Sequence, residues 1–480
     1  MSRRNPALGA AIYARLPVFA QNLACTASGY LRFRSRFDRA FHETLAEWET
    51  NARLSVEQLR ALQLARLSRA IETARAHVPY YRDLAPPAAC SDPAEAERVI
   101  SETLAAIAPL EKSAYRERPE SFLDGSIPRA RLRRSQTSGT TGTALPLWYV
   151  PEALAEEYAT VWRMRRSVGV DLRDPHLSLN GQVIVPIDQR RPPFHRTNHY
   201  GHQTLLSIYH MTEENLPAYV DAIHAAPAVY VQGYPSAIHI AARALIEAGR
   251  PFPPGRLKAI FPSSESLLSF QRETIEEGFG APVRDRYGVS EFVVSMTECA
   301  EGRLHVDMEF CIVEVDVEEE DETSETGPLL VTGLAPQATP RFRYRVGDVG
   351  TRAKTPCPCG RVGDSFFDVD GRIEDYVVTP DGRYVGRMDH VFKKQLDVDE
   401  AQILQETPAS IEVLVVPRST FSEATEREIE RDFRQRLGAE IGIVIRRVDA
   451  IPRESNGKFR AVKSAVGRVD RVGAGARGGV

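Results

Sequence analysis

The stretch that most constrains this chain runs from Gln136 to Pro146 and reads QTSGTTGTALP. It favours neither a helix nor a strand, because its glycines are conformationally loose and its hydroxyls compete for backbone hydrogen bonds. Such a loop can wrap a polyanion, since backbone N–H groups reach phosphate oxygens at glycines and the hydroxyls donate further bonds. It is not a Walker loop, because G-x-x-x-x-G-K-[ST] is absent. Taken alone, an ordinary polar loop between strands explains the pattern equally well.

Composition narrows the class of protein. A chain of 480 residues predicts two or three domains, and 42% hydrophobic with 26% charged residues is typical of a soluble globular protein. The net charge of −4 argues against bulk nucleic-acid binding. No apolar run approaches the roughly 20 residues that an integral membrane helix needs. Six cysteines make no disulfide framework in so long a chain, which indicates a cytoplasmic location. The oligomeric state stays open.

The first 37 residues contain no acid, carry several arginines and include an apolar patch from Leu8 to Leu23. This composition is similar to that of a transit peptide. The alternative is an amphipathic helix packed on the first domain with its basic residues outward. We favour this alternative, because the helical pattern continues without a cleavage-like break. Residues 1–35 are therefore predicted to be a helical extension.

The hydrophobic pattern predicts an α/β fold. Leucines recur at helical spacing from Leu59 to Leu67, and short β-like runs alternate with helices between Ala228 and Phe279. Such alternation predicts layered sheets and helices in a large N-terminal domain, residues 1–372. The acidic segment Glu318–Glu325 is predicted to be a solvated loop between two strands.

A second, smaller α+β domain is predicted at residues 373–465, after the glycines and acids of Gly371–Asp375. Its predicted elements are strands near Val377–Val378, Ile411–Val416 and Ile443–Val448 and a helix at Glu423–Leu437. Residues 466–480 are rich in glycine and arginine and are predicted to be a disordered tail.

Five further motifs occur in a fixed order. They are SSESL at Ser263–Leu267, YGVSE at Tyr287–Glu291, YRVGD at Tyr344–Asp348, GRIED at Gly371–Asp375 and PRESNGKFR at Pro452–Arg460. Each alone has an ordinary interpretation as a turn or a basic loop. Together they resemble the AMP-forming acyl-adenylate (ANL) superfamily and, within it, the phenylacetate–CoA ligase-like branch with its capsular-polysaccharide biosynthesis (CapK-like) group. The segments GYPSAIHIAA and FPSSESLLSFQRETIEEGFG add to this resemblance, which extends from about residue 40 to residue 465.

The resemblance implies an enzyme that joins ATP and a carboxylate into an acyl-adenylate and then passes the acyl group to a nucleophile. Lys458 would be catalytic, with its charge between the attacking carboxylate and the α-phosphate. Glu291 would be catalytic as the ligand of Mg²⁺, which prefers carboxylate oxygens. The ATP phosphates would be held by the hydroxyl–glycine loop, in which Thr141 is also counted as catalytic. The loop's members are Thr137, Ser138, Gly139, Thr140, Thr141 and Gly142.

The same resemblance implies the rest of the nucleotide site. Asp348 would accept hydrogen bonds from both ribose hydroxyls. Arg372 would contact the ribose or a phosphate. The small domain would turn about a hinge at Glu374 or Asp375. The wall around the adenosine would be formed by Ser264, Glu265, Tyr287, Gly288 and Ser290.

The substrates are less constrained than the chemistry. Coenzyme A is the first candidate acceptor, and an amine or hydroxyl in polysaccharide or secondary-metabolite biosynthesis is the alternative. A non-catalytic nucleotide-binding relative is a further alternative, which the joint presence of Lys458, Glu291 and Asp348 disfavours. Many superfamily members have a lysine soon after the hydroxyl–glycine loop, whereas this chain has TALP. Gly233 beside Tyr234 would leave room for a ring, which favours an aromatic acid.

A zinc site is predicted from two further segments. TPCPCGR contains Cys357 and Cys359, and ECAEGRLHVD contains Cys299 and His305. Three thiolates and one imidazole are a common tetrahedral zinc set, which here would be structural. The alternative is a group of buried thiols near a turn.

Overall fold

The computed structural model describes residues 12–136, 145–264, 267, 269–370, 377–381, 384–385, 388, 391, 397–417, 420–449, 451 and 462–466. These residues form two compact units. The larger unit takes in residues 12–136, 145–208 and 215–370, and the smaller takes in residues 209–214 and the described residues from 377 onward. The predicted domain boundary at Gly371–Asp375 and residues 467–480 of the predicted tail lie outside the described residues.

The larger unit contains many helices, two of which begin at side-chain caps. The helices are α1 (Val18–Arg36), α2 (Arg39–Asn51), α3 (Val56–His77), α4 (Ala96–Ala105), α5 (Lys112–Glu117), α6 (Pro151–Ser167), α7 (Leu216–Ala225), α8 (Pro235–Glu247) and α9 (Ser269–Phe279). Asp38 accepts a hydrogen bond from the Phe41 amide at the start of α2, and Ser55 with Gln58 forms a capping box at the start of α3. Helix α3 buries a face of leucines and isoleucine, as its spacing predicted.

A hairpin and a five-stranded sheet form one part of this unit. The hairpin consists of β1 (Arg133–Gln136) and β2 (Pro146–Tyr149). The sheet has the order β4-β5-β3-β6-β7, with β3 at His176–Leu179, β4 at His195–Asn198, β5 at Gln203–Leu206, β6 at Tyr230–Gly233 and β7 at Ala259–Pro262. Strands β5, β3, β6 and β7 run parallel, and β4 is an antiparallel edge strand. Every residue of β3 and β7 is buried, as expected for parallel strands covered by helices.

The second sheet is antiparallel and carries several predicted motifs. Its strands are β8 (Arg286–Gly288), β9 (Ser295–Glu298), β10 (Leu304–Val306), β11 (Cys311–Val315), β12 (Glu319–Glu320), β13 (Ser324–Gly333), β14 (Tyr344–Ala353) and β15 (Ser365–Asp370). Their order is β11-β13-β14-β15-β10-β9-β8, and β12 pairs with β13. The prediction of a solvated loop at Glu318–Glu325 is therefore wrong in part. The backbones of Glu319 and Glu320 pair with β13, while the side chains of these two glutamates stay exposed to water.

The smaller unit is α+β. It contains β16 (Val377–Val378), β17 (Tyr384–Val385), β18 (Val398–Thr407), β19 (Ser410–Pro417), α10 (Glu423–Leu437), β20 (Gly442–Arg447) and β21 (Val462–Ser464). Its main sheet has the order β20-β19-β18-β21. Ser422 and Thr425 form a capping box at the start of α10, and Gly438 takes φ 95 at its end. The predicted strands and helix of this unit are confirmed, whereas β18 was not predicted. The α/β fold class is confirmed.

The helices of the described segments include none that is both long and apolar enough to cross a lipid bilayer.

Candidate functional site

Two predicted site residues from different strands meet in the antiparallel sheet. The Tyr287 hydroxyl on β8 donates a hydrogen bond to Asp348 Oδ2 on β14 at 2.7 Å. Asp348 is only 7% exposed. A phenol fixes one carboxylate oxygen without neutralising its charge, so Asp348 remains an acceptor for other donors. The structure thus places the predicted adenosine-wall tyrosine against the predicted ribose-binding carboxylate.

A β-bulge positions Asp348. Pro328 of β13 pairs with Val349 of β14, and Leu330 pairs with Arg345. One residue of β13 therefore lies opposite three of β14, and Asp348 is among the three. Gly347 takes φ 83, a conformation that a side chain would strain. Bulges of this kind re-aim a side chain at a functional site, which explains the glycine in YRVGD.

The second predicted carboxylate, Glu291 of YGVSE, is held by Tyr344, the tyrosine of the YRVGD motif. The Tyr344 hydroxyl donates to Glu291 Oε1 at 3.0 Å, and Glu291 is 7% exposed. Phe292, the next residue, takes φ 54. Ser264, another predicted site residue, takes φ 73. Left-handed backbone at non-glycine residues is costly and clusters at functional sites, so its occurrence at two of the motifs supports a functional site here.

The hydroxyl–glycine loop connects to this region through β2. The Tyr149 hydroxyl donates to the Ser290 carbonyl at 2.7 Å, and its ring lies 4.6 Å from the Phe292 ring. Burial raises the pKa of Tyr149 to about 12, so this tyrosine is a donor at any physiological pH. The loop itself joins Gln136 to Pro146, which are paired across the β1–β2 hairpin. Tyr149 therefore ties the end of the loop to the YGVSE turn.

Sequence reasoning missed a buried cation beside Tyr344. The Arg341 guanidinium is 2% exposed and lies over two rings, 4.5 Å from the Tyr115 centroid and 5.6 Å from the Tyr344 centroid. It donates to the Thr339 carbonyl at 3.1 Å. Its Nε and Nη2 atoms have no hydrogen-bond partner within the described structure. A buried guanidinium with unpaired donors is costly, so this position suits an anionic ligand or counter-charge. Its place three residues before the YRVGD strand is the only signal in the sequence.

Ser264 lies just beyond the carboxyl end of β7, and Gly233 ends the neighbouring strand β6. The carboxyl ends of parallel strands are where α/β sheets bind ligands. A Cβ on Gly233 would lie 2.4 Å from the Leu179 carbonyl oxygen of β3. The glycine is therefore required by the close approach of β3, and it no longer supports an aromatic acid.

Several predicted site residues lie outside the described residues and stay predictions. Gly288 on β8 and Ser290 in the following turn are described beside Tyr287 and Glu291. The predicted residues outside the described part of the chain are Thr137, Ser138, Gly139, Thr140, Thr141, Gly142, Glu265, Arg372, Glu374, Asp375 and Lys458.

The four predicted zinc ligands come together at one end of the same sheet. The ligand atoms of Cys299, His305, Cys357 and Cys359 all lie within 4.8 Å of one another. The Cys299 and Cys357 sulfurs are 3.7 Å apart, and Cys359 Sγ lies 3.4 Å from His305 Nε2. Tetrahedral zinc would separate two sulfurs by about 3.8 Å and a sulfur and a nitrogen by about 3.6 Å. The donor set therefore fits zinc.

His305 is suited to bind a metal through its neutral ring. Burial, aided by the nearby Arg361 charge, lowers the pKa of His305 to about 4. The Arg361 amide donates to Cys359 Sγ at 3.4 Å, a contact that stabilises a thiolate. Two residues beyond His305, the buried Asp307 carboxylate binds Arg163 of α6 at 2.7 Å and Arg361 at 2.9 Å. These ion pairs, which the sequence did not indicate, connect α6 to the cysteine-bearing end of the sheet.

Comparisons with known proteins place this fold. A solved structure of 2-hydroxyisobutyryl-CoA ligase, in complex with 2-HIB-AMP and CoA, matches with a TM-score of 0.54 at 18% identity over 86% of this chain and 91% of that one. Residues 377–465 match the family model of the CapK C-terminal domain. Protein CapK of Staphylococcus aureus is 24% identical over 94% of this chain and 98% of its own length. Phenylacetate-coenzyme A ligase of Thermus thermophilus is 27% identical over 35% of this chain and 38% of its own.

These findings identify the fold and two proteins of similar sequence. The chain has the fold of the adenylate-forming CoA ligases, with a C-terminal domain. In sequence it is similar to protein CapK along nearly its whole length. The resemblance predicted from the motifs is thereby confirmed.

Proposed function

We propose that this chain is an ATP-dependent, AMP-forming ligase that activates a carboxylic acid as an acyl-adenylate and transfers the acyl group to coenzyme A. The observation that carries the proposal is the pairing of two tyrosines with two buried carboxylates, Tyr287 with Asp348 and Tyr344 with Glu291. The motifs concerned are remote in sequence, and the described structure brings them to one sheet. The CoA ligase fold supports the same reading.

The proposed division of labour follows from the chemistry of each group. Asp348, fixed by Tyr287, would accept the ribose hydroxyls through its remaining acceptor capacity. Glu291, oriented by Tyr344, would hold Mg²⁺, which neutralises phosphate charge as pyrophosphate leaves. The substrate carboxylate attacks the α-phosphorus, and the bond to the pyrophosphate oxygen breaks. Positioning and charge neutralisation then supply the rate enhancement, so no protein nucleophile is needed.

Two other positive charges would share the neutralisation. Lys458 is assigned by its motif to the α-phosphate. Arg341 is buried beside Tyr344 and has two donors without partners within the described residues, so it would favour an anion or the Glu291 carboxylate nearby. The known cost of such a buried cation is a reason to expect that it serves the site.

The acceptor has a second candidate. The CapK match extends over 94% of this chain, whereas the phenylacetate-coenzyme A ligase match extends over 35%. This difference in coverage supports an amine or a hydroxyl as the alternative acceptor to coenzyme A. We further propose that zinc binds at Cys299, His305, Cys357 and Cys359 as a structural ion, because the donor geometry fits a tetrahedral site.

The test is ATP–pyrophosphate exchange with pools of aromatic, aliphatic and hydroxy acids. One pool should stimulate exchange. Lys458→Ala and Asp348→Asn should each lower the stimulated rate by about a hundredfold or more. The matched controls are Lys354→Ala and Asp316→Asn, which remove exposed ion pairs and should leave the rate unchanged. Coenzyme A and amines are then offered as acceptors for the activated acid.

Two outcomes would contradict the proposal. ATP binding without exchange in any pool would favour a non-catalytic nucleotide-binding relative. Absence of ATP binding, measured by titration calorimetry on folded protein, would count against the nucleotide site as a whole.

A further inference from the structure

The N-terminal helix α1 presents an apolar face to water. Phe19 is 69% exposed, Leu23 61% and Leu31 66%, and Ile12 just before the helix is 56% exposed. Phe19 and Leu23 are four residues apart and the half-exposed Tyr30 follows seven later, so these side chains lie on one side of the helix. Large apolar side chains clustered in this way on a surface mark an interaction site.

The inner face of α1 mixes polar and aromatic contacts, since Phe33 lies 5.4 Å from the Tyr200 ring beside the hydrogen bonds of Asn22 and Thr26. Asn22 Oδ1 accepts from the Thr197 amide at 3.0 Å, and Thr26 Oγ1 accepts from the His199 amide at 3.1 Å. Thr197 belongs to the edge strand β4, and His199 follows it. The helix therefore closes an open sheet edge by supplying acceptors to its free N–H groups. Cys25 and Phe33 also turn inward, whereas Phe19, Leu23 and Leu31 are left outside.

The charge of the helical region itself has one sign. Residues 12–37 contain no aspartate or glutamate, and Arg15 and Arg34 are exposed. Arg36 is exposed too, but its guanidinium lies over the Tyr158 ring of α6. The Arg34 guanidinium donates to the Tyr30 hydroxyl at 3.0 Å, which brings a cation and an amphipathic ring to the same part of the helix.

A neighbouring segment adds to the same surface chemistry. The Tyr13 hydroxyl donates to the Ile184 carbonyl at 2.6 Å, which ties the start of the helical region to residues 183–193. That segment exposes Val183, at 55%, with Arg190 and Arg191. It combines an exposed apolar side chain with two arginines and one exposed aspartate, Asp188, so its net charge is positive.

We propose that the outer face of α1 docks this protein onto an anionic phospholipid surface. An interfacial helix needs apolar side chains that enter the acyl boundary and cations that meet lipid phosphates, and α1 supplies both. Charge complementarity selects an anionic membrane over a neutral one. The attachment is peripheral, since α1 is not among helices able to span a bilayer. The proposal does not depend on the ligase activity proposed above.

The experiment is vesicle flotation of the full-length protein with phosphatidylcholine vesicles, with and without phosphatidylglycerol. Wild-type protein should float with anionic vesicles, bind neutral ones at least about tenfold more weakly, and dissociate in high salt. The variant Phe19→Gln/Leu23→Gln/Leu31→Gln should lose at least about tenfold in binding to anionic vesicles. The control Val317→Gln/Val362→Gln/Val444→Gln changes comparably exposed valines elsewhere and should bind like wild type.

A charge variant separates the two contributions. Arg15→Gln/Arg34→Gln should bind anionic and neutral vesicles equally weakly. All variants are compared after circular dichroism and thermal melting have matched wild type. Wild-type protein that fails to float, or floats equally with both vesicles, overturns the proposal. A concentration-dependent dimer in analytical ultracentrifugation that the glutamine variant of α1 abolishes also overturns it, because a second copy would then cover the face.

Discussion

At the scale of single residues, the site depends on tyrosine hydroxyls that orient carboxylates. Tyr287 and Tyr344 each donate one hydrogen bond to a carboxylate that is 7% exposed. Hydrogen bonds to charged groups are worth about 1.5–3 kcal/mol, enough to fix a rotamer. The tyrosines of YGVSE and YRVGD thus have a positioning role that the sequence motifs do not reveal.

The first prediction concerns Tyr344. Tyr344→Phe keeps the ring but removes the donor to Glu291, so the carboxylate is held less firmly. We expect the Mg²⁺ concentration for half-maximal pyrophosphate exchange to rise about tenfold, equivalent to about 1.4 kcal/mol. A magnesium titration of the exchange rate measures this shift. Tyr219→Phe is the matched control, because Tyr219 is also buried and donates to a backbone carbonyl, that of Ser207. Equal magnesium requirements in both variants would contradict the role of Tyr344.

The second prediction concerns a buried histidine of β3. His176 stacks on Tyr230 with centroids 4.5 Å apart, and burial lowers the pKa of His176 to about 3. The unfolded chain takes up this proton near its ordinary pKa of about 6.5, so stability is lost as the pH falls below that value. Between pH 7 and pH 5 the loss from this residue should be about 2 kcal/mol.

Urea unfolding at the two pH values tests this. In His176→Phe the loss between pH 7 and pH 5 should be smaller than in wild type by that amount. His199→Gln, which changes an exposed histidine, should keep the wild-type loss. An unchanged pH dependence in His176→Phe would show that His176 is not the titrating group.

At the scale of elements, two glycines explain how strands approach and where a strand bends. Gly347 allows the bulge that aims Asp348, and Gly233 allows β6 to lie against β3. Gly347 stood in the YRVGD motif without a stated role, and Gly233 was noticed in the sequence but with the wrong physical reason. A glycine can make space for a ligand ring or for a neighbouring backbone, and the sequence alone does not distinguish these two reasons.

The third prediction tests Gly233. A methyl group there would lie 2.4 Å from the Leu179 carbonyl oxygen, and that oxygen belongs to a strand that cannot move alone. Gly233→Ala should lower the free energy of unfolding by about 2 kcal/mol or more. The control is Gly125→Ala, whose Cβ would make only an ordinary contact at 3.5 Å. Denaturant unfolding of both variants measures the difference, and equal stabilities would refute the packing argument.

At the scale of the whole molecule, the proposed zinc would cross-link distant parts of the chain. Its ligands follow β9, lie on β10 and follow β14, so a bound ion would restrict the unfolded chain over more than fifty residues. The ion pairs of buried Asp307 with Arg163 and Arg361 connect this cross-linked region to α6.

The fourth prediction follows from that cross-link. Freshly purified reduced protein should contain about one zinc per chain, and a strong chelator should lower the melting temperature by several degrees. Cys357→Ser should lose the zinc and melt like the chelated protein. Cys90→Ser, which changes a cysteine outside the cluster, should retain both properties. Elemental analysis that finds no zinc in wild type would refute the site.

Helices were predicted from the sequence more completely than strands. Helix α3 followed from apolar spacing, because a helix face is a local pattern, and α8, α9 and α10 were predicted as well. Strand β18 was missed, since its long run of mixed polar and apolar residues is stabilised by pairing with β19 and β21. The acidic strand β12 was also missed, because its pairing is made by backbone atoms that no side-chain pattern reports.

The sequence by itself determined the class of fold and the ordered motifs, because each motif is a short local run whose residue types specify a chemistry. It also determined the four zinc-ligand candidates from their residue types. Only the tertiary structure decided which carboxylate each tyrosine holds, why Gly233 is a glycine, and that Arg341 is buried beside Tyr344. It alone placed Asn22 and Thr26 of α1 against the edge strand β4 and the residue after it. These features depend on contacts between residues far apart in the chain, and such contacts are set by packing and by backbone hydrogen bonding between elements.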